Sequence, residues 1–210
     1  MAVGLAEIAD RPGAWPGLGS RDLGEIRLVI TPDSQAFRDF TRGRLPGWGA
    51  GAAFPGGRTI VLRADAGDVA GTLRHELAHL ALHQAVRWRV PLWFDEGYAT
   101  MASGQWDLFD RLAINLAVAR GSIPGLRALD AELRASQVSA DAAYALAATA
   151  VMELARRNPA GTLEPLFGRL AAGERFDDAI IATTGLTLDR FDEVWRRSVR
   201  TRFGMVTWVV

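Results

Sequence analysis

Apolar residues along this chain follow two different periods, and the change from one to the other falls near residue 68. Before it, Glu25–Thr31 (EIRLVIT) is rich in β-branched residues and closed by Pro32, which predicts a strand. Asp33 or Ser34 can cap a short helix that carries Phe37 and Phe40 on one face. The small-residue run Gly47–Phe54, the turn Pro55-Gly56-Gly57 and Arg58–Arg63 (RTIVLR) together predict a hairpin. Residues 1–24, with Pro12-Gly13 and Pro16-Gly17-Leu18-Gly19, read as an irregular entry segment. From Asp68 onward, Val69, Leu73, Leu77 and Leu80 recur at the spacing of one buried helix face. Pro91 opens a second helix that runs to about Ser103. Helical stretches follow at about 107–119, 126–135, 141–157, 162–172, 175–183 and 188–202, punctuated by Gly121, Gly161, Gly173 and Gly185.

Strands first and helices afterwards predict an α+β fold. A small mixed N-terminal β-sheet packs on the helix that begins near residue 69, and an all-helical half follows. The organisation expected is an entry segment at 1–24, an α+β part at 25–104, a helical part at 105–203 and a short tail at 204–210. No repeat or low-complexity tract interrupts it.

Composition narrows the function classes. With 49% hydrophobic and 23% charged residues the chain can bury a core without cross-links. The formal net charge is zero, so nothing calls for nucleic acid as a partner. There is no cysteine, which removes thiolate metal sites and cysteine nucleophiles, and every basic side chain is arginine, which removes lysine chemistry. No run reaches the roughly 18 apolar residues of a membrane span, and the first residues lack the pattern of a signal peptide. At the other end, Arg196, Arg197, Arg200 and Arg202 precede Phe203-Gly204-Met205-Val206-Thr207-Trp208-Val209-Val210. That ending fits the foot of a C-terminal membrane anchor as well as it fits a frayed helix end, and it favours an exported or membrane-anchored protein over a cytoplasmic one.

The candidate chemistry sits on the first long helix. All three histidines fall within nine residues, and His75-Glu76-Leu77-Ala78-His79 is H-E-x-x-H. Residues four apart lie one above the other on a helix, so both imidazoles can reach one ion. Glu76 is turned about 100° from His75, where a carboxylate can take a proton from a metal-activated water without ligating. A catalytic zinc ion needs a third protein ligand and an open position. With no distant histidine and no cysteine, a carboxylate must supply it. The segment Pro91-Leu92-Trp93-Phe94-Asp95-Glu96-Gly97-Tyr98-Ala99 offers Glu96 and, as a competitor, Asp95; 16 residues separate His79 from Glu96, enough to end one helix and return antiparallel. His83 lies about 12 Å along the helix from His75, too far to share an ion, and reads as a surface residue or one behind the ligands.

H-E-x-x-H followed by W-F-D-E-G-Y-A resembles the gluzincin (MA clan) zinc metallopeptidases, and specifically their peptidase-MA-like bacterial domains, related to the aminopeptidase branch. The resemblance covers roughly residues 25–200 and implies a minimal thermolysin-like catalytic domain with one Zn2+ and a peptide or protein substrate. It implies Glu96 as third ligand. Asp95 stands where that branch has Asn, which leaves it as a competing ligand or as a group orienting a ligand histidine from behind. A donor for the developing oxyanion must be tyrosine or arginine. Tyr98 faces away from the metal by helix geometry. Tyr144 resembles in position a tyrosine that serves this role in the aminopeptidase branch, and it reads nearly as well as a packed aromatic at a helix start. The family binds substrate on a sheet edge, for which Gly51, Ala52 and Ala53 are in the matching place. The acid that holds a free substrate amine in the aminopeptidase branch is missing from that strand. The expectation is therefore an endopeptidase or an unknown specificity rather than an aminopeptidase. The alternative is a metal-binding, non-catalytic interaction module, with or without a membrane tether.

Overall fold

A computed structural model describes residues 2–10, 13–45, 48–104, 114–116, 118, 121, 123–135 and 137–204. The fold is α+β as expected: a small mixed sheet with its helices comes first, and a helical half follows.

The entry segment is more ordered than its glycines and prolines suggest. Helix α1 spans Ala2–Asp10, and strands β1 (Gly13–Trp15) and β2 (Gly19–Arg21) form a two-stranded antiparallel ribbon. Leu5 and Trp15 join the main core, and that burial is what fixes the segment.

The principal sheet contains β3 (Arg27–Thr31), β4 (Gly51–Phe54) and β5 (Thr59–Arg63) in the order β3-β5-β4. β3 runs parallel to β5, and β4 runs antiparallel to it as the expected hairpin partner. The central strand is buried on both faces, with Ile60, Val61 and Leu62 all inaccessible, which accounts for its unbroken apolar run. Ile60 and Leu62 face the main core. Val61 and Ala52 meet Phe37 of helix α2 (Ser34–Thr41) on the opposite face. Asp33 caps α2 by accepting from the Gln35 and Ala36 amides at 2.9 Å each. Phe40 is not on the buried face beside Phe37: three residues on, it is 42% exposed, because the small sheet covers only a narrow stripe of this helix.

Helix α3 (Val69–Ala85) is capped by Asp68, whose carboxylate accepts from the Gly71 amide at 2.8 Å. Val69, Leu73, Leu77 and Leu80 are buried as their spacing predicts. Helix α4 (Leu92–Ser103) follows, and then α5 (Leu126–Ala135), α6 (Gln137–Arg157), α7 (Glu164–Ala171), α8 (Phe176–Thr184) and α9 (Leu188–Phe203). The helix expected at 107–119 lies largely outside the described residues; of it, 114–116 and 118 are helical. The tail beyond Gly204 also lies outside them. Among the described residues no helix is long and apolar enough to cross a membrane.

The helical half closes around aromatic residues. Trp93 stacks on Phe191, and Phe94 meets Phe176 edge to face with ring centroids 4.9 Å apart. Trp195 is fully buried and donates its indole N–H to Thr149 at 3.0 Å. Two helices are capped from a distance. Pro91 offers no side-chain cap to α4, and Asp130 of α5 accepts from the Trp93 amide at 2.8 Å instead. In turn Asp192 of α9 accepts from the Leu126 amide at the start of α5 at 2.9 Å.

Candidate metal centre

Helix α3 places His75 and His79 one turn apart, and α4 packs beside it so that Glu96 faces both. His75 Nε2 and His79 Nε2 are 3.2 Å apart, and Glu96 Oε2 lies 3.3 Å from the first and 3.4 Å from the second. Three donor atoms thus form a nearly equilateral triangle. Tetrahedral donors bound to zinc at about 2.0–2.1 Å sit about 3.3 Å from one another. The triangle therefore fits one such ion with a fourth position left for water or substrate, and the donor set suits it chemically.

The electrostatics point the same way. Glu96 is desolvated by burial, which works against its charge, yet His79 and His75 overcome this and hold its pKa down to about 2. Burial also works against a charged His79, but Glu96 and Asp95 outweigh it and raise its pKa well above the ordinary 6.5. Carboxylates are thus arranged to demand positive charge between the imidazoles. A proton on His79 answers that demand, and a divalent cation would answer it better.

Asp95 and Glu96 are neighbours in sequence with separate tasks. Asp95 accepts from His79 Nδ1 at 2.6 Å through Oδ1 and from His83 Nε2 at 2.8 Å through Oδ2. Burial alone would raise the pKa of Asp95, but these two bonds hold it well below the usual carboxylate range. In the neutral form that could bind a metal ion, Nδ1 donating to Asp95 leaves Nε2 of His79 with its lone pair facing Glu96 and His75.

Glu76 is 6% exposed and lies under β4, on the side of α3 next to the face that carries His75 and His79. Burial pushes its pKa up; the neighbouring His79 and His75 and the Ala53 backbone amide act in the opposite direction. A methyl group at Gly51 would lie 2.7 Å from Thr72 Cγ2 and 3.0 Å from Glu76 Oε1. The absence of a side chain there is what lets the strand pass this close to the carboxylate. Register defines the rest of the strand's role. The Arg63 amide donates to the Ala50 carbonyl at 2.9 Å, so Ala50 and Arg63 are a hydrogen-bonded pair. Alternation then turns the backbone groups of Ala52 towards β5, and those of Gly51 and Ala53 outward, at an edge that no described strand covers.

Tyr144 comes to the same place. Its ring meets that of His75 edge to face, with centroids 6.1 Å apart. The helix begins at Gln137, so Tyr144 sits two turns in rather than at the start expected for it. Burial first, and then the charges of Glu96 and Glu76, push its pKa far above 10. It is therefore a neutral hydroxyl at any working pH, and it makes no hydrogen bond among the described residues. Tyr98 faces away, as helix geometry requires, and donates to the Pro16 carbonyl at 3.1 Å.

Two contributors escape a reading of local pattern. Gly97 carries no chemistry, but a methyl group there would stand 2.5 Å from the Ala147 carbonyl oxygen of α6, so glycine sets the approach of the helix behind Glu96. Asp130, 34 positions from Glu96 in sequence, caps the helix that carries it. Gly97 shows in the sequence only as part of the D-E-G-Y-A string, and Asp130 shows no signal at all.

No curated protein and no solved structure was found to match the chain. A family model described as the peptidase MA superfamily matches residues 19–201, which takes in the helices that carry His75, His79 and Glu96, the edge strand and the helical half. Together with a His-His-Glu group able to hold a metal ion, that match shows that the chain belongs to the peptidase MA superfamily.

Proposed function

We propose that this chain is a zinc-dependent peptidase that uses Glu76 as its general base, with endopeptidase or another specificity favoured over aminopeptidase. The observation that carries the reading is the equilateral arrangement of His75 Nε2, His79 Nε2 and Glu96 Oε2, with the Glu76 carboxylate buried beside it. A zinc ion held there would act as a Lewis acid and bring a water's pKa close to neutrality. Glu76 accepts the proton of the attacking water and delivers it to the departing amine. Burial, which raises the Glu76 pKa, makes its carboxylate a readier proton acceptor than an exposed one. The Tyr144 hydroxyl, neutral and without a described partner, donates to the oxyanion that develops on the scissile carbonyl. An extended peptide lies against the outward backbone groups of Gly51 and the Ala53 carbonyl, passing over Glu76 as an added strand. No acidic side chain stands on β4 to hold a free amine, which supports cleavage within a chain over removal of a terminal residue.

Bound metal and cleavage of an unfolded protein substrate, measured for the wild type and for Glu76→Gln, test this. The substitution keeps the shape and removes the base. Stoichiometric zinc in both proteins with cleavage in the wild type alone is the expected result. Equal cleavage in both removes Glu76 as base. Zinc binding in both, with no cleavage of any substrate by either, favours a metal-binding interaction module.

A further inference from the structure

The proposed metal centre leaves one of the three histidines without a task. His83 lies two turns along α3 from His75, and its side chain is 28% exposed against 13% for His75 and 12% for His79. It does not point into solvent, however. Its Nε2 meets Asp95 Oδ2 at 2.8 Å, while the other oxygen of the same carboxylate meets His79 Nδ1 at 2.6 Å.

His79, His83 and Asp95 also lie close enough together to be read as a second metal group. The distances decide against it. Donors around a tetrahedral zinc ion stand about 3.3 Å apart, whereas 2.6–2.8 Å is the length of a charge-assisted hydrogen bond. The two histidines also contact different oxygens of Asp95, each with the geometry of a donor facing an acceptor. This group is a hydrogen-bonded bridge from an outer histidine, through a carboxylate, to a ligand.

We infer that His83 is a positioning residue for the metal centre: by holding Asp95 Oδ2 it fixes the carboxylate plane, and Asp95 Oδ1 then fixes the tautomer and ring orientation of His79. This rests on the proposed metal-binding reading of His75, His79 and Glu96. An aspartate with one anchored oxygen can rotate about its side chain, and the His79 ring can follow it. With both oxygens held, the His79 Nε2 lone pair stays on the point that His75 and Glu96 also face. Partners behind metal ligands govern affinity in this way although they never touch the ion. The geometry also requires the donor to come from the far end of the side chain at position 83, since it is Nε2 that reaches Asp95.

That requirement supplies the test. Glutamine places its amide N–H close to where histidine has Nε2, and asparagine falls one methylene short. Zinc affinity of the full-length wild type, His83→Gln and His83→Asn is measured by competition with a chromophoric chelator, alongside the visible spectrum of each protein loaded with cobalt(II). Expected are near-wild-type affinity and spectrum for His83→Gln, and about tenfold weaker zinc with an altered cobalt spectrum for His83→Asn. Metal-free unfolding midpoints of the two variants should agree, since a packing role would not separate them in the metal-bound state alone. Affinity and spectrum unchanged in His83→Asn overturn the inference. Equal weakening in both variants overturns it too, as does a stoichiometry of two ions per chain. A wild type that holds no metal removes the centre itself; this outcome differs from the others because it appears before any substitution is made.

Discussion

Helix α4 has two seams, and they are built on opposite principles. Towards α3 it presents Asp95 and Glu96 to three histidines, so that buried carboxylates are held by imidazole nitrogens. Towards α6 it presents Gly97, with the Ala147 backbone in close approach and a run of fully buried alanines (Ala143, Ala145, Ala147, Ala148 and Ala150) on the facing helix. The first seam is costly to bury and depends on its hydrogen bonds and ion pairs. The second is apolar, closely packed and stiff. A functional site of this kind is stable because the helix that carries it is clamped from behind, and the two seams are expected to fail in different ways.

Gly97→Val is expected to have the largest effect. Its side chain would run into the α6 backbone, which cannot swing aside, so denaturant unfolding should report a loss of about 3 kcal/mol, with metal affinity falling as α4 moves. A variant of unchanged stability would mean that the rear seam is not the clamp described. Gly51→Ala probes the Glu76 carboxylate beside the front seam, from the strand side. Its methyl group meets Thr72 and Glu76 rather than backbone, so the expected outcome is a tenfold to hundredfold fall in kcat, about 1.4 to 2.7 kcal/mol, with metal stoichiometry unchanged. Loss of metal instead of rate would show that β4 supports the ligands and not the base.

Asp130→Ala should cost about 1 kcal/mol, because it takes away the cap at the Trp93 amide. Asp130→Asn should recover most of it, and unfolding curves for the pair would distinguish a cap from a packing contact. The smallest effect concerns acid. Glu153 is buried, which opposes its charge, but Arg156 at 2.6 Å and Arg157 at 2.7 Å pull its pKa below the ordinary 4.5. A folded-state pKa below the unfolded one adds stability above pH 4.5 that is lost as pH falls through and below that value. The unfolding midpoint of Glu153→Gln should therefore depend less steeply on pH below about 4.5 than that of the wild type. Parallel curves would place the acid sensitivity elsewhere, at the carboxylates of the front seam.

Much of the front seam is legible in the chain. A four-residue step between His75 and His79 puts both on one helix face whatever surrounds them, and the missing cysteines and distant histidines leave a carboxylate as third donor. The strands at Arg27–Thr31 and Thr59–Arg63 follow from their β-branched runs, and the cap at Asp33 from its place before an amphipathic stretch. The rear seam is hardly legible. Nothing local says that Gly97 meets a backbone 50 positions later in the chain, or that α5 caps α4 and α9 caps α5. Phe40 and Tyr144 show the same boundary. A helical period ranks faces without saying how wide a neighbour covers them, and a helix start depends on contacts that propensity does not contain.

What the sequence determined alone is therefore short-range: the H-E-x-x-H face, the choice of α+β, and the need for a carboxylate near residue 96. These follow from fixed helix rise and from which donor types the chain possesses. The tertiary structure decided which carboxylate did which task. Asp95 and Glu96 are adjacent, but a helix turns about 100° per residue, so only the packing of α4 against α3 could aim one at the histidine Nε2 atoms and the other at His79 Nδ1 and His83.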